Sequence, residues 1–159
     1  MYDKNQNKGY GNKQGNQNRY NQNKESISLP EGYLKEGYFT DVNNKEKRDS
    51  KYIVEYAKSI AAALEAEGKG QKNNSSQIRK YYDYGLRVQD KLQSKKNDFT
   101  YVEADIAQFV STVSYAKSRG VVTKLFEEFL VKNVDKIEDE KDYYAFMKHF
   151  EAVIAFMKK

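Results

Sequence analysis

The stretch Asn74–Leu92, NSSQIRKYYDYGLRVQDKL, most constrains what this chain can fold into. Wound at about 100° per residue, it separates into two faces. Ile78, Tyr81, Tyr82, Gly85, Val88 and Leu92 gather on one arc, which the rest of the chain has to cover. Lys80, Tyr84, Arg87 and Lys91 fall on the opposite arc, at spacings of four, three and four. That arc sets three cations around one aromatic ring and asks for an anionic partner.

The same helical period recurs on both sides of this stretch. A first helix is expected over Ser50–Glu67, capped by Asp49 or Ser50 and stopped by Gly68, with Ile53, Tyr56, Ala57, Ile60 and Leu64 inward. The second is capped by Asn74 or Ser75 and reaches about Ser94. A third follows Thr100, where Thr100 and Glu103 have capping-box spacing. Its stripe is Val102, Ile106, Phe109, Val110 and Val113; its uncharged polar side predicts a central helix or one pressed on a partner. Gly120 ends it. A fourth spans about Val122–Ile137, and a fifth runs from about Asp139 with Tyr143, Phe146, Met147, Phe150, Val153, Ile154 and Met157 inward. Nothing in the body alternates like a strand. The expected fold is all-α, a single bundle of about five helices over residues 49–159.

Residues 1–48 read differently. Residues 1–24 are rich in Asn, Gln and Gly with no apolar run, so a disordered tail is expected. Their Tyr, Lys and Arg could touch RNA non-specifically, but a solvated tail is the better reading. The lead-in from Ser26 to Lys47 is expected to be irregular, with Tyr33, Leu34, Tyr38 and Phe39 able to dock on the body. Of the net charge of +5, the tail carries four, since Lys4, Lys8, Lys13, Arg19 and Lys24 face only Asp3. Any basic surface on the nearly neutral body must therefore come from segregation. With no cysteine there is no disulfide or thiolate site. No apolar segment suits a signal peptide or a bilayer, so a cytoplasmic protein with no membrane partner is expected.

The chain lacks the parts of an enzyme. His149 is its single histidine and sits beside an apolar stripe, so packing suits it better than zinc or catalysis, and no metal or cofactor is expected. Phosphate-cradling glycine motifs are missing, and no Arg precedes His149 to build a helical ribonuclease pair. Asp139, Glu140 and Asp142 cluster at a helix start, where acids cap and meet the dipole. The positive signal is the sorting of charge. Each cation also has an inert reading: Arg79 can pair with Asp83 or Asp90, Lys91 can be solvated, and Arg119 suits a helix C-terminus.

Three segments in this order resemble a known family. Ser75-Ser76-Gln77-Ile78-Arg79, Tyr115-Ala-Lys-Ser-Arg119 and Phe150-Glu-Ala-Val-Ile-Ala-Phe156 are similar to landmarks of the small helical subunit of type III-A CRISPR effector complexes, the Csm-type small subunit. Ser118 stands where that family usually has Gly. The resemblance covers about residues 50–159 and implies a non-catalytic, RNA-binding subunit. Such subunits stack with copies of themselves along the filament, opposite the backbone subunits and near the large nuclease and cyclase subunit. Their basic helices contact phosphates of the guide RNA–target RNA duplex. The resemblance maps RNA contact to Gln77, Arg79, Lys80, Lys117 and Arg119, whereas helical angle picks Lys80, Tyr84, Arg87 and Lys91. A free-standing helical adaptor without RNA binding and a small helical nuclease are the competing readings.

Overall fold

The computed structural model describes residues 27–158; the Asn-rich tail expected over 1–24 lies outside them. Five helices follow in order: α1 (Glu55–Gly68), α2 (Ser75–Ser94), α3 (Glu103–Ser118), α4 (Lys124–Lys136) and α5 (Glu140–Phe156), with no strand among the described residues. None of these helices is long and apolar enough to cross a membrane. The centre is α5, not α3. Tyr143, Phe146, Met147, Phe150 and Val153 are all buried, because α5 is apolar around most of its circumference. It receives α1 and α2, while α3 packs on α4. Only Ile106, Phe109 and Val113 of α3 are buried, and its polar side, Gln108, Ser111, Thr112 and Tyr115, stands exposed.

Several helix ends depart from expectation. Asp49 caps a short 3-10 turn, Ser50–Tyr52, and α1 begins only at Glu55. Three residues per turn instead of 3.6 shift the angular register, so Ile53 is exposed and not in the core. Gly68 closes α1 from inside, and Lys69 takes the left-handed position at φ 49°. A Cβ at Gly68 would stand 3.4 Å from that of Asn73, so this glycine serves a close return of the chain. Before α3, Asp98 caps the 3-10 turn Phe99–Tyr101 and accepts from the Thr100 hydroxyl at 2.6 Å. The expected Thr100–Glu103 box is therefore not formed, because Thr100 is spent one turn earlier.

The lead-in belongs to the same core. Tyr33, Leu34, Tyr38 and Phe39 are buried with the helices. Tyr38 donates to Asn133 Oδ1 (2.7 Å), Asn133 Nδ2 donates to the Tyr33 hydroxyl (2.9 Å), and that hydroxyl lies 2.6 Å from His149 Nε2. Because Nδ1 faces the Tyr52 carbonyl at 2.5 Å, and a carbonyl can only accept, the ring proton sits on Nδ1 and Nε2 accepts from the Tyr33 hydroxyl. His149 is wholly buried, with its pKa pushed down to about 4 by desolvation. Lys45 reaches back to Asp139 and Asp142, at 2.7 Å each. The acids at the start of α5 thus cap the helix and also hold a lysine of the lead-in. Burial alone would raise the Asp139 pKa, but Lys45 and backbone amides bring it below the usual range.

Candidate nucleic-acid interface

The α2 helix starts where expected. Asn74 accepts from the Gln77 amide (2.9 Å) and the Gln77 side chain accepts from the Asn74 amide (3.1 Å), a complete capping box. Asn73, just before it, bonds both the backbone and hydroxyl of Thr123, fixing this end of α2 beside the α3–α4 connection. In mid-helix, Gly85 allows close approach. A Cβ there would stand 2.6 Å from Met147 Sδ and 3.3 Å from Phe109 Cζ, and the Gly85 carbonyl accepts from Tyr143 at 2.7 Å. The arc carrying Lys80, Tyr84 and Arg87 is thereby set along α3.

The two helices run antiparallel. Lys91 reaches Asp105 (2.7 Å), Tyr84 donates to the Asp105 carbonyl (2.7 Å), and the Tyr84 ring meets Phe109 edge-on at 5.0 Å. One turn further, Lys80 and Thr112 line the same groove. At the far end, a Cβ added at Gly120 would lie 4.0 Å from Lys72 Nζ. This register puts the Ser75–Arg79 and Tyr115–Arg119 segments at one end of the helix pair. Their sequence separation hides that proximity.

The candidate residues fall into distinct states. Lys80 and Arg87 are exposed and have no carboxylate within 4.0 Å among the described residues, and Arg87 lies over the Tyr84 ring at 5.7 Å. Tyr84 is half-buried; its ring is packed and its hydroxyl is already bonded, with burial raising its pKa. Arg79 is exposed and makes no ion pair with Asp83 or Asp90. Lys91 is tied to Asp105, and Lys117 lies 3.4 Å from Glu127. Arg119 covers the exposed Tyr115 ring at 5.9 Å. Gln77 is committed to its cap. The structure thus gathers Lys80, Tyr84 and Arg87, with Gln108 and Thr112 of α3, around a groove of about 410 Å³ that no carboxylate lines. Lys117 and Arg119 stand apart from this groove, at the α3 end near Lys72, and Arg79 lies on the other flank of α2, near Tyr82. Gln108, Thr112 and Lys72 went unselected because only the α2–α3 register brings them in.

Residues 47–159 match the family described as Csm2 Type III-A. The chain belongs to the Csm2 Type III-A family. Comparisons with curated proteins and with solved structures return no match. The matched span holds all five helices and begins within the lead-in. Csm2 is the structural small subunit of the type III-A CRISPR complex, where it assembles with other Csm subunits.

Proposed function

We propose that this Csm2 chain is a non-catalytic subunit that holds target RNA by its phosphates along the α2–α3 face. The reading rests on Lys80 and Arg87, two exposed cations on one face with no carboxylate in reach. Unneutralised cations on a rigid helix suit a phosphate chain, and binding through them is independent of sequence. Base pairing between guide and target then supplies specificity. Arg79 and Arg119 extend the path beyond the groove, whereas Lys91 and Lys117 contribute less because Asp105 and Glu127 hold them. In the assembled cytoplasmic complex, copies stack along the guide RNA–target RNA duplex, opposite the backbone subunits and towards the large nuclease and cyclase subunit.

The test is charge reversal. Lys80→Glu with Arg87→Glu is expected to weaken target-RNA binding at least tenfold while leaving the helical circular dichroism unchanged. Equal binding by the variant and the parent chain sinks the assignment of this face. Cleavage of RNA by the purified chain, lost on His149→Ala, would favour a nuclease instead.

A further inference from the structure

We propose that the α2–α3 groove is a subsite for one unstacked nucleobase of the bound strand, a reading that rests on the phosphate contacts proposed above. The groove is lined by Lys80, Tyr81, Tyr84, Arg87, Gln108 and Thr112, with Phe109 behind them. Its volume, about 410 Å³, lies within the range of small-ligand sites. Its aromatic walls are fixed before anything binds. Tyr81 meets Phe126 edge-on at 5.1 Å and Tyr84 meets Phe109 edge-on at 5.0 Å. The Tyr84 hydroxyl is further tethered to the Asp105 carbonyl. A flat ring entering between such side chains therefore orders little that is not already ordered.

The chemistry of the lining selects the occupant. Lys80 and Arg87 sit at the lips, seven residues apart, which is about 10 Å along a helix axis. Each can take a phosphate on one side of an inserted base. The Arg87 guanidinium, already lying over Tyr84, offers a further flat surface for stacking. The Gln108 amide supplies a donor and an acceptor, and the Thr112 hydroxyl supplies both in one group. With no carboxylate in the lining, an anionic strand enters without repulsion. The groove formed by Lys45, Arg48, Lys141 and Lys148 is larger but is a poorer candidate: Glu46 lines it, and Lys45 and Lys148 are already paired with acids.

The experiment uses the full chain and two single-stranded RNA oligomers of equal length, one normal and one abasic throughout. Both are measured with the parent chain and with Thr112→Leu, which fills the groove from an exposed helix position without adding a stacking ring. The parent is expected to bind the abasic strand about tenfold more weakly, the scale of one stacked base. In Thr112→Leu the two strands should bind alike, at the weaker level, with the salt dependence of the parent. Equal binding of both strands by the parent, with salt dependence intact, overturns the base subsite and leaves phosphate binding standing. A base preference that survives in Thr112→Leu places the base elsewhere and also overturns it. Loss of salt dependence in the parent removes the phosphate reading, and the subsite with it.

Discussion

His149 is held as a neutral imidazole by the Tyr33 hydroxyl on one nitrogen and the Tyr52 carbonyl on the other. Burial lowers its pKa from 6.5 to about 4. Between those values the unfolded chain binds a proton that the folded chain refuses, so stability rises with pH through that window and falls as pH drops. The full contribution, present above pH 6.5, is about 3 kcal/mol. Urea unfolding of the chain should therefore weaken steadily from pH 6.5 to 4. In His149→Gln, which keeps a donor and an acceptor, that dependence should flatten; an unchanged slope would assign it to other groups. Tyr33→Phe leaves His149 Nε2 and one N–H of the Asn133 amide without a partner and should cost about 1–3 kcal/mol in the same measurement. The packing role of His149 could be read from its place beside an apolar stripe. Its partners could not, because Tyr33 and Tyr52 lie 116 and 97 residues away.

Helix α2 shows which part of an element local pattern determines. Its buried stripe, its Asn74 cap and its end at Ser94 follow from 3.6-residue spacing and capping chemistry, which act within a turn or two. The state of each exposed side chain depends on α3, and no pattern within α2 reveals that Asp105 takes Lys91 while sparing Lys80. Gln77 is the instructive case. The resemblance assigned it to RNA, yet Asn74-Ser-Ser-Gln77 carries capping spacing and the structure uses it so. Gln77→Ala is accordingly expected to cost about 1 kcal/mol of stability and to change RNA affinity by less than about twofold. A tenfold loss of affinity with unchanged melting would return Gln77 to the interface. The 3-10 turns before α1 and α3 were hidden for a related reason: three residues give too short a run for periodicity to register.

Across the whole molecule, five helices and their shared core could be read from the chain, but the lead-in's share in that core was only an expectation of docking. Tyr33, Leu34, Tyr38 and Phe39 lie outside the span matched to the Csm2 family and are buried all the same. Burying a large apolar side chain contributes about 1.5–3 kcal/mol. Four of them approach the 5–15 kcal/mol that typically separates folded from unfolded. A chain of residues 47–159 should therefore lose cooperative thermal unfolding, while 27–159 keeps it; equal melting of the two would show the lead-in to be dispensable. The central claim concerns charge on the assembled surface. Its most direct test is the salt dependence of target-RNA binding by the parent chain and by Lys80→Gln with Arg87→Gln. For a single strand, two lost phosphate contacts should reduce the slope of log K against log salt by about 1.4. Identical slopes for the two proteins would contradict the account.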